Sequence, residues 1–431
     1  MERTLIKDIK PGKVLLQGWV HEIRDMSKIK FLILRDRSGI AQCIAKPDQA
    51  SAFEAIPKLS IESVVEVEGE AKKSEVAKLG VEIVAETVKV LNKAESPLPI
   101  PVVEKGVTTE FSTRLDNRFL DLRKEKQQAI FRVRSKIYAA AAEYFEKIGF
   151  TNINTPKITS AGVESGAELF EVDYFGKPAY LSQSPQIYKQ MMVAAGFERV
   201  YEIAPVFRAE KSHTTRHLTE FTGIDFEMGF IESEHDVMDV IENLVRAILK
   251  KVHAECKEEL AMFDVAVEVP EKFPRITMKE AKELLAERGK EMKEDEDLDA
   301  EAEKLLGEII KTKYNSEFVF VCNYPFAVRP FYHMKPEGDE KGTKSFDLIW
   351  NGVEVATGAQ REHRYEVLKA QGKEKGVDVE SMKDYAAIFR YGCPPHGGVG
   401  FGLDRITQRL LKLENIKEAI LLPRDPERMT P

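Results

Sequence analysis

The chain has 431 residues, 43% hydrophobic and 32% charged, with a formal net charge of −8. This length admits about two to three domains with a substantial core. The hydrophobic content argues against wholesale disorder, and no apolar run of about 18 residues is present to span a membrane. The acidic balance speaks against general coating of nucleic acid but leaves room for a local basic surface. Residues 1–103 carry 16 Lys and Arg against 15 Asp and Glu, a net of +1, so the remainder carries −9. Two parts of different charge suggest different jobs. The opening MERTLIKDIKPGK lacks an apolar signal core. Cys43, Cys256, Cys322 and Cys393 lie far apart, with no CxxC or Cys/His zinc spacing. Neither a disulfide framework nor a metal cluster is expected, and a reducing cytoplasm is the expected location.

In chain order, KVLLQGWVHEI, IKFLILRD, IAQCIA, SVVEVEGEA and VEIVAETVKVL read as five strands. QASAFEAIPKL, between the third and fourth, reads as a short helix. That order predicts an OB barrel over 1–103. The Pro-rich AESPLPIPVVEKG opens a hinge, with a linker placed at 104–130. Ile130, Val133, Ile137, Ala141, Tyr144, Phe145 and Ile148 recur at helical spacing, and Gly149 ends that helix. FTNINTPKI reads as a strand into Pro156; KPAYLSQ, RVYEIAPVFRAE and HLTEFTGIDFEMGF read as successive antiparallel strands. Residues 234–255 predict an amphipathic helix, and 272–312 a charged helical insertion, bounded at about 265–315. Strands return in EFVFVCNYP, KSFDLIWNGVEVATGAQR and HGGVGFGLDR, the last opening the helix ITQRLLKL. The fold class is therefore α+β, with an N-terminal OB-fold barrel and a second, larger domain over 131–431 on a mostly antiparallel sheet.

No GxxxxGK[ST] string occurs, and the glycines at 398, 400 and 402 lack GxGxxG spacing, which excludes both common nucleotide loops. Arginines and acids nonetheless gather near strand ends. A triphosphate site built from arginine forks and carboxylate-held Mg²⁺ needs such groups.

FRAEKSHTTRHLTEFTGIDFEM, from Phe207 to Met228, resembles motif 2 of the class II aminoacyl-tRNA synthetases. GFGLDR, from Gly400, resembles motif 3, and GFTNINTPKI with Pro156 resembles motif 1, which lies at the family's dimer interface. QSPQIYKQ and GAQREHR narrow the resemblance to aspartyl-tRNA synthetases; LLPRDPERMTP is similar to the archaeal and eukaryotic type. The class II catalytic fold, ATP as substrate, Mg²⁺, tRNA binding and a homodimer are what this resemblance implies.

It implies the following roles. Arg208 binds the α-phosphate and the substrate carboxylate, its planar fork suiting an oxygen pair. Glu210 reads the adenine amino group, Phe221 stacks on the base, and Arg405 covers the other face near the γ-phosphate. Arg216 and His217 lie by the outer phosphates. Glu354 and Thr357 hold the metal, with Asp347 as a further ligand. Strand alternation alone puts 347 and 357 on one face and 354 on the other; a turn at Trp350–Gly352 allows a hairpin to reunite them. Lys189 and Arg361 face the substrate's side-chain carboxylate. Asparaginyl relatives lack a lysine at the position of Lys189, and an uncompensated lysine disfavours an amide. Gln186 and Asp225 hold the α-ammonium, and Glu164 sits on a closing loop with Gly162 and Gly166. Taken singly, each of these residues also reads as a surface ion pair, a core aromatic or a plain loop.

At the anticodon end the resemblance implies Phe31, Gln42 and Glu82 as base contacts, with Arg24, Lys28, Lys30, Arg35 and Arg37 offered for phosphates. Phe31 also reads as a core residue. For His21 and Lys78 the cues oppose each other. In relatives, His at the first position accompanies charging of both tRNA(Asp) and tRNA(Asn), and Lys at the second accompanies tRNA(Asp) alone. The expectation leans to both acceptors, which implies an amidotransferase partner. An asparaginyl enzyme and a non-catalytic RNA-binding paralogue are the alternatives.

Overall fold

The computed structural model describes every residue except 76, 78, 104–105, 107, 161–168, 212–213 and 267, and the chain divides into two compact units, Met1–Leu120 and Asp121–Pro431. In the first unit, β1 (Gly12–Met26), β2 (Ile29–Asp36), β3 (Gly39–Ala45), β4 (Val64–Lys73) and β5 (Val81–Asn92) close a barrel in the order β1-β2-β3-β5-β4. The short helix Ala50–Ala55 stands between β3 and β4. Alternation decides the faces: Leu16, Val20, Leu32, Leu34, Cys43, Val67 and Ile83 fill the interior. Burying each of the larger ones contributes about 1.5–3 kcal/mol.

The second unit is built on an eight-stranded sheet. Its strands are β6 (Thr151–Asn152), β10 (Arg199–Phe207), β11 (Glu220–Gly229), β12 (Arg275–Thr277), β13 (Phe318–Cys322), β14 (Ser345–Trp350), β15 (Glu354–Arg361) and β16 (His396–Gly402). They run in the order β12-β13-β14-β15-β16-β11-β10-β6, antiparallel except for the two terminal pairs. Helices Glu125–Lys147 and Glu234–Glu255 join their apolar stripes to one large core with Phe226, Phe346 and Phe401 of the sheet. A capping box, Ser233 with Asp236, starts the second helix.

Three sequence expectations differ from the structure. FTNINTPKI is not one strand: only Thr151–Asn152 pairs with the large sheet. Beyond it, the backbone and hydroxyl of Thr155 each donate to the buried Glu202 at 2.7 Å, so side-chain bonds replace the ladder. KPAYLSQ supplies β9 (Lys177–Leu181) of a separate three-stranded sheet, with β7 (Ile158–Thr159) and β8 (Glu171–Tyr174). The insertion is not helical throughout. It adds β12 to the sheet edge, then helices Met278–Ala286 and Ala300–Tyr314, around its own small core.

Candidate functional site

A cavity of about 400 Å³ opens over β10, β11, β15 and β16. Among the sequence-chosen residues, Gln186, Arg208, Glu210, Arg216, His217, Phe221, Asp225, Glu354, Thr357, Arg361 and Arg405 line it. Positions drawn from 220 residues of chain thus converge on one concavity. Lys189 and Asp347 are buried at its edge rather than lining it, and Glu164 lies outside the described residues.

The floor is a closed network of charges. Asp225 and Glu227 are two residues apart on β11, so both point the same way. Lys189, 2% exposed, donates to Asp225 Oδ1 at 2.9 Å and to the Val399 carbonyl at 3.0 Å, with Glu227 Oε2 at 3.5 Å. Its ammonium therefore turns towards Asp225 beneath the wall. Arg361 Nε donates to Glu227 Oε1 at 2.9 Å. Its other nitrogens donate to His333 Nε2 at 3.0 Å, the Gly398 carbonyl at 2.9 Å and Gln186 Oε1 at 3.3 Å. The Tyr332 ring lies 5.5 Å away. Burial alone favours a protonated Glu227, but Arg361 and Lys189 outweigh it and hold the carboxyl below its ordinary range. Burial, and then Arg361, keep His333 far below the usual histidine value, so its imidazole is neutral.

Glycine on the facing strand makes this possible. Gly398 pairs with Glu227, and a Cβ there would meet Glu227 Oε2 at 2.1 Å. Behind the floor, Gln190 Nε2 donates to His396 Nε2 at 2.8 Å, and the other ring nitrogen lies 2.8 Å from the Pro394 carbonyl. Burial holds the His396 ring at about 4.

The mouth is looser. Arg208 starts the loop after β10; its side chain is 38% exposed and, among the described residues, reaches only Glu210, at 4.0 Å, as an ion pair. Its guanidinium stands 5.3 Å from the Phe221 ring, and its buried Nε has no hydrogen-bond partner among the described residues. His217 lies 3.9 Å from Glu210, and burial lowers its basicity. Arg405 Nη1 donates to the Glu354 carbonyl at 2.9 Å and carboxylate at 3.2 Å.

The β14–β15 hairpin answers the question of faces. Asp347 pairs with Thr357 and Ile349 with Glu354, with a register shift between Leu348 and Ile349. Cross-strand partners share a face, so this bulge brings Glu354 to the side of Asp347 and Thr357. Thr357 hydrogen-bonds Glu354. Asp347 Oδ2 accepts from Arg329, while the buried Oδ1 has no hydrogen-bond partner among the described residues. Burial raises the acid of Asp347; in Glu354 burial is overcome by Arg405 and Arg329, and the acid falls. Among the described residues no three His, Cys, Asp or Glu side chains cluster as a metal site, so a cation here rests on these two carboxylates, the hydroxyl and ligand oxygens.

On the barrel, Phe31, Gln42 and Glu82 lie on the outer surface. Phe31 is half-buried outside the core cluster, and Gln42 Nε2 donates to Glu82 Oε1 at 2.6 Å. His21 occupies the bulge between Val20 and Glu22 and accepts from Arg35 at 2.9 Å. Arg35 is no phosphate contact: it is buried and clamped by both oxygens of Glu62 at 2.8 and 2.7 Å. Lys78 lies outside the described residues.

Sequence reasoning missed Glu227 as the counter-ion of the floor, although its two-residue offset from Asp225 was a usable signal. It also missed His333, Arg329 and Glu303, which carry no local signal because their partners are distant in the chain.

Residues 110–426 match the family model described as tRNA synthetases class II (D, K and N), and residues 14–91 match an OB-fold nucleic acid binding domain. The chain is 46% identical to the aspartate–tRNA(Asp) ligase of Pyrococcus abyssi, over 99% of this chain and 98% of that one. It is 47% identical to the aspartate–tRNA(Asp/Asn) ligase of Methanopyrus kandleri, over 98% of each. A solved structure of asparaginyl-tRNA synthetase from Pyrococcus horikoshii, complexed with asparaginyl-adenylate, superposes with a TM-score of 0.93 at 34% identity and covers 100% of both chains.

Proposed function

This chain belongs to the class II tRNA synthetases (D, K and N), and from that premise we propose that it is an aspartate–tRNA ligase, which activates L-aspartate with ATP and transfers it to the 3'-terminal ribose of tRNA. In the first step an α-carboxylate oxygen of aspartate attacks the α-phosphorus of ATP, and pyrophosphate leaves with the bonding pair. In the second, the ribose hydroxyl attacks the new carbonyl and AMP leaves. Two anions must meet in the first step, so the site has to supply positive charge and alignment rather than a nucleophile.

The roles we assign follow the geometry. Arg208, whose guanidinium is underused in the protein alone, takes the α-phosphate and the attacking carboxylate. Phe221 and Arg405 sandwich the adenine, Glu210 reads its amino group, and Arg216 and His217 take the outer phosphates. Glu354, Thr357 and Asp347 are hard oxygen donors on one face, and the unpartnered Asp347 oxygen fits a cation; these residues would hold Mg²⁺. Bound there, the ion supplies positive charge at the phosphates. Gln186 and Asp225 receive the α-ammonium. Glu164 belongs to the aspartate-binding set in this reading.

The observation that carries the choice of aspartate is the pair of buried cations, Lys189 and Arg361, at the cavity floor. An amide substrate would leave such a floor poorly matched. The similarity to asparaginyl-tRNA synthetase supports the fold equally but is lower in identity than that to the aspartate ligases.

We assign the barrel, over 1–103 with a linker at 104–130, to the anticodon. Phe31 stacks a base, and the joined Gln42 and Glu82 read base edges. His21 stands where relatives that charge tRNA(Asp) alone tend to carry the larger Trp and so leaves room for either third base; tRNA(Asp) and tRNA(Asn) are then both acceptors and an amidotransferase acts downstream. The segment around Pro156 forms a homodimer interface; a monomer by light scattering at working concentration would remove it. Among the described residues no helix is long and apolar enough to cross a membrane, and a cytoplasmic enzyme is part of the proposal.

The test is aminoacylation with labelled aspartate on purified tRNA(Asp) and tRNA(Asn) in parallel. Charging of both supports the full reading. Charging of tRNA(Asp) alone sinks the relaxed anticodon assignment, and acceptance of asparagine instead sinks the aspartate pocket.

A further inference from the structure

The insertion reaches the nucleotide end of the cavity through Glu303. Helix Ala300–Tyr314 lies backbone to backbone on the turn between β14 and β15. A Cβ at Gly307 would sit 2.5 Å from the Gly352 nitrogen, and one at Gly352 would sit 2.7 Å from the Lys304 Cα. No larger residue fits at either position without separating the helix from the hairpin. The contact fixes Glu303, one turn before Gly307, behind the cavity wall. Glu303 Oε2 accepts from Arg216 Nη1 at 3.3 Å and from the backbone N–H of Glu354 at 3.2 Å. Arg216 and Glu354 line the cavity, and Glu303 does not. Its side chain is 14% exposed.

We infer that Glu303 is a positioning residue for the nucleotide: from behind the wall it holds the Arg216 guanidinium and the start of β15 in place, which makes the insertion a working part of the ATP site. The inference rests on the reading that Arg216 meets the outer phosphates. A free arginine side chain carries about 2 kcal/mol of rotamer entropy that ligand binding must remove. One nitrogen anchored to Glu303 removes part of it beforehand and leaves the other donors for phosphate oxygens. The bond to the Glu354 N–H acts on the same end of the site, because Arg405 rests on the Glu354 carbonyl.

The test is a double-mutant cycle with ATP–pyrophosphate exchange as readout. Glu303→Ala should raise the KM for ATP roughly 10-fold, with kcat and the KM for aspartate near wild type. Glu303→Gln, which keeps the shape and an acceptor oxygen, should restore part of the loss; it also serves the cycle if the alanine variant does not fold. Arg216→Ala alone should raise the same KM, and adding either Glu303 change to it should raise it further by less than that change does alone. Additive effects, or an unchanged KM in the Glu303 variants beside a raised one in Arg216→Ala, overturn the inference and leave the assignment of Arg216 standing. An unchanged KM in Arg216→Ala overturns both.

Discussion

The floor and the mouth of the cavity are built on opposite terms. On the floor, two cations and two carboxylates are buried and bonded to one another, with Arg361 meeting four partners. At the mouth, Arg208 is partly exposed, reaches one carboxylate at 4.0 Å and keeps a buried nitrogen unsatisfied. The difference follows from desolvation. A charge taken fully out of water must be compensated within the fold, because an uncompensated one costs several kcal/mol. A charge left at a wet opening does not need that compensation and can wait for an anionic ligand. The floor is therefore charge-compensated within the fold, and the mouth is not.

Breaking the floor should cost stability first. Glu227→Ala leaves Arg361 and Lys189 short of their common counter-ion, and a loss of about 3–5 kcal/mol in urea unfolding is expected. A midpoint within experimental error of wild type would mean that water or Asp225 compensates the pair. Breaking the mouth should do the reverse. Arg208→Ala should lower ATP–pyrophosphate exchange about 10²–10³-fold, as loss of one transition-state donor does, with the unfolding midpoint unmoved. Loss of both together would erase the contrast.

Acid sharpens the contrast, because the floor is backed by the buried histidines His333 and His396, whose basicity burial lowers. The folded-state value of His396 is depressed to about 4. The stability it contributes is fully present above its unfolded value near 6.5, and is lost as pH falls towards the folded value, since the unfolded chain takes the proton first. The loss is on the order of 3 kcal/mol. His396→Asn should flatten the stability profile between those limits; an unchanged slope would place the acid sensitivity elsewhere. The smallest expected effect lies at the border of the two regions. Lys189→Leu should raise the KM for aspartate on the order of 30-fold, with ATP affinity retained. Unchanged exchange kinetics would remove Lys189 from aspartate recognition.

Much of this molecule was legible in the chain. The five alternating runs with one interposed helix specify the barrel, since a two-residue period fixes which side chains go inside. The apolar stripes of 125–147 and 234–255 specify the two helices on the sheet. The grouped arginines and acids between Phe207 and Met228 announce an anion site, and the Asp225–Glu227 spacing puts two carboxylates on one face. These are local properties, set by the backbone repeat and by side-chain chemistry. Tertiary structure decided the rest. The register shift after Leu348 reverses the facing of Glu354, the sharing of Glu227 joins Lys189 to Arg361, and Glu62 withdraws Arg35 into the barrel. Glu303 arrives from the insertion because two glycines let a helix touch a turn. Each depends on which distant strands and helices pair, and in which register. The periodicity of one segment carries no information about its partner, so these features exist only once the chain has packed.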